Sequence, residues 1–301
     1  MIRDIVKNKY LYLLALPGFV VLVFFAYLPM TGHFIAFKEY RVSDGLWGSP
    51  WAGFKKFELL FESGKWMEVT VNTLYLNSLF IVSSLIIALM LAIFLNEIRR
   101  MLWRKLAQSV VFLPYFISWM VVSFIVFAML NTSDGLINQT LASIGIDAVP
   151  WYSSPQHWPF ILTVIYIWKF AGYKSIIYLA AITGISGEFY ESARIDGANR
   201  LQQIWHITLP LLRPTIIILT LLSVGRIFYG DFGMIYGIVG DNGVLFPTTD
   251  VIDTYTYRML RHLGDFGMSS AIALYQSVMG LIVIIFFNWI VRKVDGDSRL
   301  F

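Results

Sequence analysis

The chain has 301 residues, of which 57% are hydrophobic, 17% aromatic and 14% charged, with a mean hydropathy of +0.67. Globular chains in water carry about 45–50% apolar and about 25% charged residues, so this composition excludes an ordinary water-soluble fold and predicts an all-α integral membrane protein. The lack of cysteine excludes disulfides, thiolate metal sites and cysteine nucleophiles, and a net charge of +4 is too small to point to nucleic acid.

A bilayer-spanning helix needs about 20 mainly apolar residues. Windows free of charge run over 10–37, 69–96, 106–133 and 266–291. Two more stretches are long enough but interrupted, 157–182 by Lys169 and Lys174, and 214–238 by Arg226 and Asp231. Six transmembrane helices are therefore expected, at about 11–31, 71–95, 108–130, 157–182, 214–238 and 267–291, in one transmembrane domain covering 1–301. The first reads as a retained helix, because Leu11 to Met30 is longer than the apolar core of a signal peptide and no small-residue cleavage site follows it.

Lysine and arginine set the direction of the spans, since short cytoplasmic loops carry the excess. One side collects thirteen: Arg3, Lys7 and Lys9; Arg99, Arg100, Arg104 and Lys105; Arg194, Arg200 and Arg213; Arg292, Lys293 and Arg299. The other holds seven, five of them in the first loop among Glu39, Asp44, Glu58 and Glu62. Both termini are thus expected in the cytoplasm. The segments 38–66, 131–157 and 239–265 read as compact external caps, with Trp47, Trp51, Trp66, Trp151 and Trp158 placed for an interfacial belt. No internal repeat or flexible linker is evident.

Catalytic chemistry is thin. The histidines His33, His157, His206 and His262 are scattered without metal-ligand spacing, and neither a Gly-x-Ser-x-Gly elbow nor a phosphate-binding Gly-x-x-x-x-Gly-Lys motif occurs. Gly233 and Gly237 form a Gly-x-x-x-Gly pair, a signal for close helix approach. Within the spans, ionisable groups cost roughly 2.5–3.5 kcal/mol each at the helix centre, so Lys169, Lys174, Arg226 and Asp231 must face protein or water. They can be read as a buried ion pair with a snorkelling lysine. They can equally be read as a hydrated substrate route lined also by Tyr166, Trp168, Tyr173, Tyr229 and Tyr236, where aromatic faces suit sugars and three cations against one carboxylate favour an acidic solute. At this level an oligosaccharide permease, a membrane-embedded enzyme acting on glycan or lipid, and a secondary carrier all stay open.

The most structured polar segment is 186–210. Glu188 to Arg194 favours a helix, Asp196-Gly197 permits a turn, and Leu201, Ile204 and Trp205 recur at helical spacing ahead of Pro210 and Pro214, which are expected to open the next span. That predicts a short helix-turn-helix, presented either to a soluble partner or to the lipid headgroups.

The sequence of that segment, Glu191-Ser192-Ala193, then Gly197, then Ile207-Thr208-Leu209-Pro210, resembles the EAA loop of permease subunits in binding-protein-dependent ABC importers, with Ser192 in place of the usual middle alanine. Further stretches, among them "FLPYFISWMVVSF", "SIIYLAAITGI" and "PTTDVIDTYTYR", are similar to the oligosaccharide and polysaccharide permeases of the carbohydrate-uptake group, above all those serving uronate-containing glycans such as rhamnogalacturonan fragments or alginate. The resemblance implies a type I importer permease fold with a cytoplasmic coupling helix. It also implies a second homologous permease subunit, two cytoplasmic ATPase subunits that use ATP and magnesium while this chain binds no cofactor, and an extracytoplasmic solute-binding protein that delivers the sugar. On it, Glu191, Ser192, Ala193, Asp196 and Gly197 would meet the ATPase, and Ile207, Leu209 and Pro210 would hold the loop to the membrane part.

Overall fold

The computed structural model describes residues 7–294; Arg3 and Arg299, counted above, lie outside them. Among the described residues all regular elements are helical except one antiparallel bridge between Lys38 and Trp51. In chain order the principal helices are α1 Lys9–Leu22, α2 Lys55–Glu62, α3 Lys65–Glu97, α4 Met101–Phe112, α5 Trp119–Leu130, α6 Leu136–Ser143, α7 Trp158–Thr183, α8 Gly187–Ile195, α9 Arg200–Gln203, α10 Leu209–Val224, α11 Phe232–Val239, α12 Ile252–Arg261 and α13 Phe266–Val294. Five helical stretches are long and apolar enough to cross a membrane: Lys9–Phe37, Lys65–Glu97, Pro155–Thr183, Arg200–Val224 and Phe266–Lys293. A sixth span arises if α4 with its extension to Phe116 and α5, bent by 96° against each other, are taken together.

Contacts gather the chain into two compact units, one comprising 256–275 with the residues up to 66, the other 67–255 with the residues from 276. In the first, no residue of α1 is buried. A wide π turn follows it at Val23–Tyr27, directly ahead of Pro29. The Leu28 N–H reaches back five residues to Val23 O, and this one-residue slip accommodates a proline that can neither donate nor approach the carbonyl four residues before it. Beyond it Phe37 stacks on Trp51 at 5.7 Å and meets Phe54 edge-on at 5.4 Å. Lys56 Nζ lies 2.8 Å from Asp265 Oδ2, while Asp265 Oδ1 accepts from Met268 N at 2.9 Å and so caps the start of α13.

In the second unit α3 runs uninterrupted because no glycine or proline falls within it. Two apolar cores form along it. One packs Leu76 and Phe80 with Val122, Val126, Trp158, Leu162 and the α11 side chains Met234, Ile235 and Ile238. The other packs Ala88, Ala92 and Leu95 with Tyr178, Leu179, Ile182 and Leu212. Lipid is as apolar as these side chains, so tight packing and small residues, more than hydrophobic burial, hold the helices together. A Cβ on Gly172 would lie 1.8 Å from the Val111 carbonyl oxygen, and one on Gly233 would lie 2.8 Å from Trp119 Cδ1. The glycine pair at 233 and 237 therefore does bring helices close, α11 onto α5.

Four expectations change. The span expected at 108–130 is broken after a 3-10 turn at Leu113–Phe116 that contains Pro114, and Ser118 starts α5 by accepting from Val121 N at 3.4 Å. The span expected at 214–238 instead runs from Arg200 to Val224, and α11 is a separate short helix. Pro210 does not open it, because a π turn at Ile204–Thr208 repeats the device seen ahead of Pro29: Leu209 N–H reaches Ile204 O, and the helix continues through the proline. Finally, Trp158 is fully buried with its Nε1 donating to Trp151 O at 2.9 Å, so it belongs to the core and not to an interfacial belt.

Candidate functional site

Breaking a helix inside a membrane leaves backbone groups without partners, each costing several kcal/mol in hydrocarbon. The break after α10 is closed by side chains from elsewhere. Asn77 Nδ2 donates to Ile227 O at 2.8 Å and Tyr229 O at 3.3 Å, Gln276 Nε2 donates to Phe228 O at 2.7 Å, and Gly230 N donates to Asp253 Oδ2 at 2.6 Å. Gln276 Nε2 also donates to Asp253 Oδ2, at 3.0 Å. Burial pushes the Asp253 carboxyl above its usual range, against the pull of these hydrogen bonds. Asp231 then starts α11, its Oδ1 accepting from Met234 N at 3.1 Å.

Lys169 closes the other break. It is only 5% exposed, and its Nζ donates to the carbonyls of Pro114, Tyr115 and Ile117. The same ammonium lies 4.8 Å above the Trp119 ring, whose Nε1 donates to Asp231 Oδ2 at 3.1 Å. Lys169 thus meets the face and Asp231 the Nε1 edge of one indole. The expected ion pair between Arg226 and Asp231 is not formed among the described residues; the two carboxylate oxygens of Asp231 accept from Trp119 Nε1 and from Met234 N at the helix start.

Between the two apolar cores lies a cavity of 680 Å³, within the roughly 300–1,000 Å³ typical of small-molecule sites. Of the residues singled out from sequence it brings together Tyr173, Lys174, Arg226, Tyr229 and Asp231, with Tyr166 beside them. Lys169, Trp168 and Tyr236 are not part of its wall; Lys169 is consumed by the helix break. The Arg226 guanidinium is exposed and makes no hydrogen bond or ion pair with a described residue. Lys174 Nζ donates to Ser84 Oγ at 2.8 Å and stands 5.5 Å over the Tyr166 ring. Tyr115 stacks on Tyr173 at 4.5 Å, which makes a flat aromatic wall. Sequence reading missed Tyr115, Asn77 and Thr220. Asn77 could have been found as an amide inside an otherwise apolar span, and Thr220 Oγ1 is buried with no hydrogen-bond partner among the described residues.

The segment 186–210 forms a second candidate surface. Ser186 Oγ accepts from Glu188 N at 3.3 Å to start α8, and Arg194 sits in its last turn, where a cation suits the helix dipole. Gly197 has φ +81°, and Ala198 N closes the helix end on Ala193 O at 2.8 Å. Asn199 and Gln202 then cap α9 reciprocally, at 2.9 and 2.8 Å. Tyr190 OH and Thr208 Oγ1, 3.0 Å apart, tie the two arms, and Arg200 reaches Glu97 at 3.8 Å. A groove of 350 Å³ is lined by Ala193, Asp196, Gly197 and Ile207, while Glu191, Ser192, Leu209 and Pro210 lie outside it. Glu191, Ser192, Asp196, Gly197 and Pro210 are exposed; Ala193, Ile207 and Leu209 are half-buried. Around the groove Phe189, Leu201 and Trp205 are exposed, and Ile195 is 87% exposed. So much apolar surface on a polar turn marks a contact with another molecule.

The chain was compared with known proteins. The family described as binding-protein-dependent transport system inner membrane component matches residues 81–296. Protein LplB of Bacillus subtilis is 36% identical over 292 residues, covering 97% of this chain and 91% of LplB. The polygalacturonan/rhamnogalacturonan transport system permease protein YteP of the same organism is 34% identical over 298 residues, covering 99% and 92%. Among solved structures, a chain of a bacterial ABC transporter involved in the import of the acidic polysaccharide alginate superposes with a TM-score of 0.89 at 35% identity, covering 97% of this chain and 98% of that one. The alginate transporter in complex with its pentasaccharide-bound periplasmic protein matches with a TM-score of 0.88 at 34% identity, covering 97% of each chain.

Proposed function

Because the chain belongs to the family of binding-protein-dependent transport system inner membrane components, we propose that its cavity passes an acidic oligosaccharide. The protein is a multi-pass permease subunit of an ABC transporter, a transport component and not an enzyme, which sets aside the enzymatic and secondary-carrier alternatives. The observation that carries the substrate reading is the unbalanced charge of the cavity: among the described residues Arg226 has no ion-pair partner and Lys174 meets a hydroxyl and a ring face, two cations against the single carboxylate of Asp231. An anionic sugar acid supplies the missing charge, and the stacked Tyr115 and Tyr173 offer its ring a face. The names of the relatives support this, one serving polygalacturonan and another alginate.

In this reading a second homologous permease completes the pathway, and an extracytoplasmic solute-binding protein delivers the sugar. Both termini and the 186–210 loop face the cytoplasm, as the cation count predicts. Of two ATPase subunits, which use ATP and magnesium, one grips this groove at Ala193, Asp196 and Gly197, with Glu191 and Ser192 beside it, while Ile207, Leu209 and Pro210 hold the loop to the membrane part. Because α9, the π turn and α10 form one continuous helix from Arg200 to Val224, a push on the loop is carried to the cavity, where Thr220 and Ser223 of the same helix form part of the wall. The ATPases then drive transport by binding two conformations of the permease unequally. The whole chain acts as one permease domain. Uptake into vesicles reconstituted with both permeases, the ATPases and the solute receptor, assayed with oligouronates and neutral oligosaccharides of equal length, tests the proposal. Receptor- and ATP-dependent uptake of the acidic series is expected, and uptake of neutral sugars alone would overturn it.

A further inference from the structure

Helices α4 and α7 touch where Gly172 faces Val111, and on the side of that contact toward Met101 and Thr183 a groove of 320 Å³ opens between them. One wall consists of Met101, Arg104, Lys105 and Gln108. The other consists of Ile176, Leu179, Ala180 and Thr183. Each set has the spacing of a single helix face, so the groove runs along both helices and is not a dent in a loop. Its charge is one-sided. From Ile98 to Gln108 the chain holds Arg99, Arg100, Arg104 and Lys105 and no acid. Arg104 makes one long contact, 3.4 Å to Asn96 Oδ1, and the side chains of Arg99, Arg100 and Lys105 have no hydrogen bond or ion pair with a described residue. The α7 wall carries no charge at all. Trp103, Leu106 and Val110 continue the apolar surface outward on α4, exposed by 58%, 47% and 71%.

The geometry points to a binding site for one anionic phospholipid, with its phosphate at Arg104 and Lys105 and an acyl chain along Ile176 and Leu179. A groove half cationic and half apolar, on the flank of two membrane helices, matches a molecule with a charged head and a hydrocarbon tail. A soluble anion would leave the apolar wall without a partner, and an acidic protein surface would do the same. The inference rests on the reading above only in placing this groove at the cytosolic leaflet, which is where anionic lipids give basic clusters their attraction.

The test uses the full chain, purified with its partner subunits in micelles containing equal amounts of phosphatidylglycerol and phosphatidylcholine with identical acyl chains. Native mass spectrometry counts the lipid retained. Phosphatidylglycerol is expected to be retained preferentially, and the preference should fall about fivefold per cation removed in Arg104→Gln and Lys105→Gln, while exchanging them as Arg104→Lys with Lys105→Arg keeps it. Ala180→Trp, or Thr183→Trp if the first does not assemble, fills the groove without touching a charge and should abolish the preference equally. A preference that survives groove filling would mean diffuse attraction to the basic loop, and one unaffected by charge removal would mean no headgroup site; either overturns the inference. So does competition by millimolar glycerol phosphate, or loss of the ATPase subunits in place of lipid from the Gln variants. Lipid retention is read without transport, so failed oligouronate uptake would sink the transport reading and leave this result standing.

Discussion

Trp119 and Asp231 join the breaks of two spans through one hydrogen bond, the indole Nε1 donating to Oδ2 at 3.1 Å. Trp119 opens α5 just beyond the first break, and Asp231 starts α11 just beyond the second. Gly233 lies under the same ring, and Lys169 stands over it at 4.8 Å. Three segments of chain, α5, α7 and the start of α11, therefore meet at one aromatic side chain.

Removing that carboxylate is expected to cost more than a helix cap alone. Asp231→Ala loses a cap worth about 1 kcal/mol and orphans a partly buried indole N–H worth a further 1–3 kcal/mol or so, and should lower the Tm of the purified complex measurably. Asp231→Asn keeps a single acceptor oxygen for the two donors, Met234 N and Trp119 Nε1, and turns an NH2 toward the other, so it should recover only part of the loss. Equal destabilisation by both would mean that charge, and not hydrogen bonding, holds the pair.

Gly172 allows no side chain. Its Cβ would lie 1.8 Å from the Val111 carbonyl, so Gly172→Ala must push α4 and α7 apart, at a cost of roughly 1–3 kcal/mol or more for overpacking. The expected outcome is a sharp drop in folded yield on size-exclusion chromatography, and wild-type yield and Tm would contradict the packing described.

In the cavity, the cations divide by role. Arg226→Gln and Lys174→Gln are expected to reduce uptake of oligouronates about tenfold, the scale of one hydrogen bond to a charged group, with little effect on a neutral oligosaccharide. Lys169→Gln should instead lower Tm, because it uncovers the carbonyls of Pro114, Tyr115 and Ile117. Identical selectivity losses for all three would place Lys169 on the route after all.

At Gly197 the backbone and the partner make separate demands. Its φ of +81° disfavours any other residue by roughly 1–2 kcal/mol, yet nothing lies within 4 Å of a Cβ built there. Gly197→Asn, which tolerates this conformation, should leave the chain folded and still weaken co-purification of the ATPases, with Gly197→Val worse on both counts. Full ATPase retention and nucleotide-driven uptake in Gly197→Asn would remove the groove from the coupling surface.

The uninterrupted spans were legible because lipid tolerates only long apolar helices there: Lys65–Glu97 has neither glycine nor proline and closely brackets the expected 71–95. The two broken spans were misjudged for a common reason. Hydropathy over 108–130 and 214–238 records how apolar the side chains are and is blind to whether each backbone group finds a partner. The local signs existed, Pro114 and Ser118 at one break, Gly225, Gly230 and a capping Asp231 at the other. The residues that make those breaks tolerable, Lys169, Asn77, Gln276 and Asp253, lie between 23 and 152 positions away from the groups they satisfy. In the same way Pro210 looked like the start of a helix, because a π turn is a register shift that no residue type announces.

Composition and charge order determined that this chain lives in a bilayer and crosses it with five or six helices, and local residue spacing determined that 186–210 is a short helix-turn-helix, because these follow from solvent preference and from contacts within a few residues. Only the tertiary structure decided which intramembrane charges face a cavity and which repair the backbone. A lysine that meets three carbonyls and an arginine that meets none are equally expensive to insert and identical to read, and the difference between them lies wholly in what distant parts of the chain bring within hydrogen-bonding distance.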